Sequence, residues 1–186
     1  MKTRCAWCEK DDLYRTYHDE EWGKPIYDDA TLFQFLVLET FQAGLSWHTI
    51  LKKRDHFHEA FDQFDYQKIA VYSENKVQEL LQNSGIIRNH LKIRATITNA
   101  VAFMAIQSEF GSFSKYIWNF VDGKPIHNNR KSLQEVPATT ELSDIISKDL
   151  KKRGFKFVGS TVVYAHMQAT GMVNDHVKDC FLYEEN

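Results

Sequence analysis

The chain has 186 residues and a formal net charge of −2, with 43% hydrophobic and 26% charged residues. This composition is typical of one globular domain with a sizeable core, here expected over residues 1–186, and it excludes a disordered or fibrous chain. The longest apolar run, over residues 100–106, is far shorter than the ~18 residues of a membrane helix, and the N-terminus lacks the apolar segment of a secretory signal, so we expect a cytoplasmic protein. No heptad pattern or interface stripe is evident, so we expect a monomer.

Apolar residues recur at helical spacing along most of the chain. Leu32, Phe35 and Leu36 fall on one face of a predicted helix that begins after Asp28 and ends at Gly44. The same spacing, with capping residues and glycine stops, predicts further helices over residues 46–61, 77–81, 89–109, 113–120, 143–153 and 158–170. The pattern therefore predicts an all-α fold, with room for two helical lobes around a cleft.

Some details of these elements can be tested directly. Ser143 is expected to cap the helix over 143–153. Residues 126–140 are expected to form a loop, 155–158 is the best strand candidate, and 173–180 is expected to be a final helical turn or two. The inward face of the longest helix is expected to comprise Ile93, Ile97, Val101, Met104 and Ala105.

Cysteine and histidine residues near the two ends of the chain form a candidate metal site. Three cysteines and no signal peptide argue against a disulfide framework. Two sulfurs and two imidazoles are a donor set for tetrahedral zinc. Spacing favours Cys5, Cys8, His176 and Cys180, or a set that includes His18, and it does not choose between them. The alternative is that these are unlinked thiols and surface histidines.

Aromatic side chains are concentrated in the first 50 residues, at Trp7, Tyr14, Tyr17, Trp22 and Trp47. Flat rings either build a core or stack on a flat ligand, and for any single ring the core is the better interpretation.

Glu39 changes this balance, because it lies on the apolar face of its predicted helix. A carboxylate there is desolvated and needs a partner. One alternative is an ion pair with Lys52, Lys53 or Arg54 on the next helix. The other is a pocket in which aromatic walls and the carboxylate await a cationic or amine-bearing ligand.

Basic residues occur in short clusters, which fits local attraction to nucleic acid. Residues 80–94 are typical of a helix, a tight turn and a second helix, in which Gly85 permits a positive φ and close approach of the backbone. Amides at the start of the second helix would face an anion such as a DNA phosphate, although an ordinary helical hairpin is the favoured interpretation of this segment alone. Lys151, Lys152 and Arg153 either complement a helix dipole or contact phosphates.

Several longer motifs occur together, among them Gln-Ala-Gly-Leu-Ser-Trp at 42–47 and Val-Asn-Asp-His at 173–176. With the segments 4–7, 14–23, 38–39, 85–88 and 150–159, they resemble the 3-methyladenine DNA glycosylase I family of the helix-hairpin-helix glycosylase superfamily. The resemblance runs from about residue 4 to residue 180 in the family's order.

The resemblance implies a monofunctional glycosylase of base-excision repair with a helix-hairpin-helix fold. Its substrate would be double-stranded bacterial DNA that carries N3-methylated adenine, and it would release 3-methyladenine and leave an abasic site. No Schiff-base lysine or catalytic Asp loop is evident, so lyase activity is not expected. The resemblance also implies one structural zinc that ties the two chain ends through Cys5, His18, His176 and Cys180, with Cys8 outside the ligand set.

The resemblance further assigns the site. Glu39 would be the catalytic residue of the base pocket, surrounded by Trp7, Tyr14, Tyr17 and Trp47. The DNA-binding residues would be Gly44 and Leu45 at the gap in the duplex, Gly85 and Arg88 in the hairpin, and Lys151, Lys152 and Arg153 on phosphates.

Two other function classes stay open from the residues alone. One is a non-catalytic, zinc-tied module that binds DNA or nucleotides, and the other is a zinc hydrolase with an open metal position. Metal removal separates them, because loss of activity with an intact fold supports the hydrolase and loss of folding stability supports a structural metal.

Overall fold

The computed structural model describes residues 2–183, and this part of the chain is mostly helical, as expected. Its helices are α1 Asp12–Glu20, α2 Asp29–Gln42, α3 Trp47–Ala60, α4 Tyr66–Ile69, α5 Glu74–Gln82, α6 His90–Phe110, α7 Phe113–Trp118, α8 Glu141–Lys152 and α9 Ser160–Ala169. Its two strands are β1 Ile126–His127 and β2 Val173–Asn174. They pair in parallel, with Ile126 opposite Val173 and His127 opposite Asn174.

Helix α2 lies at the centre of the fold and packs against α3, α6, α7 and α9. Asp28 caps its N-terminus by accepting a hydrogen bond from the Thr31 amide. Because α2 is contacted on several sides, nearly all of its residues from Leu32 to Phe41 are buried. The helix therefore carries Glu39 into the interior of the protein.

The capping and strand predictions for the second half of the chain are corrected. Thr140, and not Ser143, caps α8; Ser143 occupies the third helical position and completes a capping box with Thr140. Residues 155–158 form no strand. Residues 173–180 are not helical, because Val173 and Asn174 pair with β1, and so part of the expected loop over 126–140 is a strand.

The expected inward face of α6 is also partly wrong. Ile93 is buried, but Val101 is 54% exposed and Ala105 is exposed. The buried positions include Thr96, Ala100 and Phe103 instead. Helix α6 contacts α2, α4, α5 and α7, and these contacts set its buried face, whereas its apolar periodicity does not.

The two ends of the described chain meet beside the C-terminus of α9. The Phe181 amide donates to the Thr3 carbonyl, and the amides of Gly23 and Ile26 donate to carbonyls of Gln168 and Thr170. Gly171 has a φ of +71°, and a Cβ there would lie 2.4 Å from the Lys24 backbone, so only glycine fits.

Candidate active site and metal centre

A cavity of about 530 Å³ opens between the N-terminal aromatic segment and helices α2, α3 and α9. It is lined by Glu39 and the N-terminal aromatic residues that the sequence indicated as a candidate pocket, and by several residues that the sequence did not indicate. Its main lining residues are Trp7, Tyr14, Tyr17, Trp22, Glu39, Gln42, Trp47, Leu133, Gln168 and Asp175.

Glu39 has no ion-pair partner in this cavity. It is 3% exposed, and its Oε2 has no hydrogen-bond partner among the described residues. Arg54 is bound to Glu21, and Lys53 donates to backbone carbonyls at Ser84 and Gly85, so neither neutralises it. Burial raises the pKa of Glu39 to about 8, because an apolar surrounding disfavours the charged form. Of the two alternatives, the ion pair with Lys52, Lys53 or Arg54 is thus not formed among the described residues.

Aromatic rings form the wall around this carboxyl group. The rings of Trp7 and Tyr14 meet edge to face with centroids 4.9 Å apart, and those of Tyr17 and Trp47 lie 5.4 Å apart. The indole Nε1 of Trp47 is buried and has no partner among the described residues. An aromatic cavity that keeps an unpaired carboxyl group and an unpaired N–H is suited to a flat, polar ligand.

Tyr14 is positioned by a half-buried contact between the N-cap of α1 and helix α3. Asp11 caps α1 by accepting from the Tyr14 amide, and it also contacts His48 Nε2 at 2.6 Å. The His48 ring stacks on Tyr14 at 5.1 Å. The carboxylate therefore orients both the backbone and the ring neighbour of a cavity residue.

The loop between β1 and α8 supplies the outer wall of the cavity, which sequence reasoning missed. It lies there because Asn128 Nδ2 and Arg130 Nε donate to Asp175 Oδ1, at 2.9 and 3.3 Å. Tyr164 and Gln168 of α9 donate to the other oxygen. Asp175 belongs to the motif at 173–176, but nothing in the spacing of the sequence indicates this network.

Four side chains from the two ends of the chain form a buried candidate metal site. Ligand atoms of Cys5, His18, His176 and Cys180 all lie within 4.8 Å of one another. The measured sulfur–nitrogen separations are 3.5 and 3.6 Å. Zinc–sulfur and zinc–nitrogen bonds of ordinary length put such atoms about 3.6 Å apart in a tetrahedron. The donor set and its geometry therefore fit a metal ion such as zinc.

The outer contacts of the two histidines agree with this arrangement. His18 Nδ1 lies 2.8 Å from Asp19 Oδ1, and His176 Nε2 lies 3.3 Å from the Trp22 carbonyl oxygen. Both partners are acceptors, so the opposite ring nitrogens face the sulfurs as lone pairs, as metal-bound histidines require. Cys8 lies outside the cluster, and its thiol donates to the Cys5 carbonyl oxygen.

The turn between α2 and α3 is exposed beside the cavity. Gly44 has a φ of +83°, and Leu45 is 41% exposed. Lys92 supports this turn from the interior, because its Nζ donates to the carbonyls of Phe41 and Ala43 at 2.9 and 2.7 Å. Lys92 is therefore unavailable to a phosphate.

The turn between α5 and α6 lies within residues 80–94, which the sequence predicts to form a helical hairpin. Gly85 does not have a positive φ, which corrects the expectation. Glycine is needed there for close approach, since a Cβ would lie 2.9 Å from the His56 ring. Arg88 is exposed, whereas Arg94 of the same basic cluster is bound to Glu74.

The turn between α8 and α9 combines exposed lysines with a helix start. Lys151 and Lys152 are exposed, but Arg153 is bound to Asp149 and Glu109. Gly159 precedes α9 without a side-chain cap, which leaves amides of the first turn available. In the sequence, one predicted helix ends at a glycine and a second predicted helix follows within a few residues, and this pattern could have indicated the second hairpin.

Within residues 2–183, no helix is both long and apolar enough to cross a membrane.

Comparison with known proteins identifies the family of the chain. A family model described as methyladenine glycosylase matches residues 7–183. The chain is 49% identical over 180 residues to the DNA-3-methyladenine glycosylase of Haemophilus influenzae, with 97% of each chain covered.

Solved structures give the same result. The fold is similar to a crystal structure of 3-methyladenine DNA glycosylase I, with 50% identity, a TM-score of 0.94 and coverage of 96% of this chain and 98% of that one. It is also similar to a variant of 3-methyladenine DNA glycosylase I in complex with 3-methyladenine, with 37% identity, a TM-score of 0.93 and 96% of each chain covered. The chain therefore belongs to the methyladenine glycosylase family and has the DNA-3-methyladenine glycosylase function.

Proposed function

We propose that the enzyme is a monofunctional glycosylase of base-excision repair that binds its flipped base in the aromatic cavity. It hydrolyses the N-glycosidic bond of 3-methyladenine in alkylated double-stranded DNA and leaves an abasic site. The observation that carries this proposal is the buried, unpaired carboxyl group of Glu39 within that cavity. A buried carboxyl group without a partner destabilises the protein, and a bound ligand that forms a hydrogen bond with it offsets this free-energy cost.

The base must leave the duplex before the cavity can bind it. Flipping costs a few kcal/mol of stacking and pairing free energy, and this cost is smaller for a damaged base. The exposed turn that contains Gly44 and Leu45 adjoins the cavity residues Gln42 and Trp47. We assign Leu45 to the gap that the flipped nucleotide leaves, where an apolar side chain replaces lost stacking.

The charge of the lesion explains the pocket. Methylation at N3 makes the adenine cationic, which weakens the glycosidic bond and favours contact with the faces of Tyr17 and Trp47, with Trp7 and Tyr14 completing the wall. Glu39 accepts a hydrogen bond from the amino group of the base and ionises when the cation is bound. Water then attacks the sugar C1′, and the base departs as a neutral leaving group.

Phosphate binding is assigned to the exposed turns. Gly85 and Arg88 contribute through the turn before α6, and Lys151 and Lys152 through the turn before α9, whose free amides add an anion site. Arg153 was expected to join them, but its two ion pairs make the lysines the better phosphate ligands. Their clustering accounts for DNA binding by a chain of net charge −2.

We propose that Cys5, His18, His176 and Cys180 hold one zinc ion. Four protein ligands leave no open position, so the metal supplies structural stability and not a nucleophile. The site joins the N-terminal segment, which carries Trp7, to the segment after β2, and it thereby holds one wall of the cavity. This coordination disfavours a zinc hydrolase.

We further assign residues 1–186 to one domain that acts as a monomer in the bacterial cytoplasm, where its DNA substrate lies.

The test of the proposed function is the release of 3-methyladenine from methylated duplex DNA. Glu39→Gln is expected to lower the release rate at least tenfold, because a neutral amide does not stabilise the cation. Glu59→Gln, an exposed change on α3, is the matched control. Release by Glu39→Gln at the wild-type rate would show that the pocket is assigned wrongly.

A further inference from the structure

Gln168, near the C-terminal end of α9, is one of several polar residues that line the cavity besides Glu39. Gln168 Nε2 donates to Asp175 Oδ2 at 2.8 Å. The side chain of Asp175 is fully covered, and it accepts hydrogen bonds from Asn128, Arg130 and Tyr164 as well. Gln168 is thus attached to a fixed buried carboxylate.

This contact determines which end of the Gln168 amide faces the cavity. A carboxylate that is surrounded by donors, one of them the Arg130 guanidinium, can only accept. The amide must therefore direct its N–H groups toward Asp175 and its carbonyl oxygen Oε1 away from it. No donor to Oε1 is found among residues 2–183. Gln168 therefore brings to the cavity that it lines an acceptor that cannot rotate into a donor while the contact with Asp175 holds.

Glu39 does not supply the same selectivity. Burial raises its pKa to about 8, so in the empty pocket its carboxyl group carries a proton at neutral pH and can donate as well as accept. Adenine offers an amino group with two N–H bonds at C6, whereas guanine offers a keto oxygen, an acceptor, at the same position. Glu39 can therefore keep its proton and donate to the keto oxygen of guanine, or release the proton and accept from the amino group of adenine.

We propose that Gln168, held in one amide orientation by Asp175, is the residue of this pocket that rejects N3-methylated guanine. Its Oε1 accepts from one N–H of the adenine amino group while Glu39 accepts from the other. With guanine, the same oxygen meets a keto oxygen, and both acceptors stay buried and unpaired. This inference rests on the proposed function, because it requires the flipped base to occupy this cavity.

The experiment measures both lesions in one substrate. Duplex DNA treated with dimethyl sulfate carries both N3-methyladenine and N3-methylguanine, and the released bases are separated by liquid chromatography. Gln168→Met keeps the length of the side chain and removes both polar groups of the amide. We expect the kcat/KM for the guanine lesion, relative to the adenine lesion, to rise about tenfold, since one mismatched buried acceptor is removed.

Asp175→Asn gives an independent variant. Its new amide can donate to Gln168, which would reverse the Gln168 amide and present an N–H to the cavity. The same ratio is then expected to rise further than in Gln168→Met, because that N–H pairs with the keto oxygen. Asn128→Ala removes a donor to the other oxygen of Asp175 and leaves the contact with Gln168 intact, so the wild-type ratio is expected. Zinc content and melting temperature are recorded for each variant.

The outcomes distinguish failure of the role of Gln168 from failure of the proposed base pocket. An unchanged ratio in Gln168→Met and Asp175→Asn, with excision lost in Glu39→Gln, overturns the role of Gln168 and keeps the pocket. Wild-type excision by Glu39→Gln overturns the pocket itself. A rise in Asn128→Ala as large as that in Asp175→Asn assigns selectivity to the loop and also overturns the role of the amide.

Discussion

Glu39→Gln is expected to make the protein more stable while it lowers the rate of base excision, and the gain in stability is expected to depend on pH. The folded protein keeps Glu39 protonated up to a pKa of about 8, because the cavity provides no partner for the charge. The unfolded chain releases this proton near the ordinary value of 4.5. Glutamine has the same size and never ionises, so the variant lacks this cost.

The magnitude follows from proton linkage. Between pH 4.5 and about 8 the unfolded state binds fewer protons at this site than the folded state, so the free energy of unfolding of the wild type falls as pH rises. Each pH unit contributes about 1.4 kcal/mol. The variant should therefore exceed the wild type by less than about 1 kcal/mol at pH 5 and by about 3 kcal/mol at pH 7.

Urea unfolding followed by tryptophan fluorescence at pH 5, 6, 7 and 8 measures this difference. Glu59→Gln serves as the control, because it makes the same chemical change on an exposed side chain of α3. A difference between Glu39→Gln and wild type that stays constant across this range would refute the reasoning. It would mean that Glu39 is ionised in the folded protein, and that an unseen partner neutralises it.

Three further changes test the metal site and the turn beside the cavity. A chelator should lower the melting temperature of wild type and Cys8→Ser equally and leave Cys180→Ser unaffected; an unchanged wild-type value in differential scanning fluorimetry contradicts a structural metal. Leu45→Ala should lower excision from duplex DNA several-fold but bind free 3-methyladenine like wild type, as measured by fluorescence quenching; parallel losses would place Leu45 in the pocket instead. Lys92→Met should destabilise the protein by about 2–4 kcal/mol in urea titrations, because the carbonyls of Phe41 and Ala43 lose their donor, whereas the exposed Lys52→Met should match wild type.

Local features of this protein could be predicted from the sequence. Asp28 caps α2 as expected, because a cap involves only a side chain and amides two or three residues away. The helical segments follow from periodicity for the same reason. Glu39 could be recognised as anomalous, since a carboxylate within an apolar stripe is visible in the order of residues alone.

Assignments that depend on distant contacts needed more than spacing. The sequence left five candidates for four metal ligands, and the resemblance named the four. In the folded chain the two ends place His18 near Cys180 and leave Cys8 aside. The buried face of α6 differs from its apolar pattern because neighbouring helices, and not the helix itself, decide which residues are covered.

The cavity was decided by tertiary structure in the same way. Whether Glu39 finds an ion pair depends on where Arg54 points, and that side chain is bound to Glu21 instead. The orientation of Gln168 depends on Asp175, which in turn is surrounded by donors from two elements. The sequence by itself determined which residues are chemically unusual, because residue type and spacing are local properties. Only the tertiary structure decided which of them remain unpaired and line the cavity, because each partner comes from a different part of the chain.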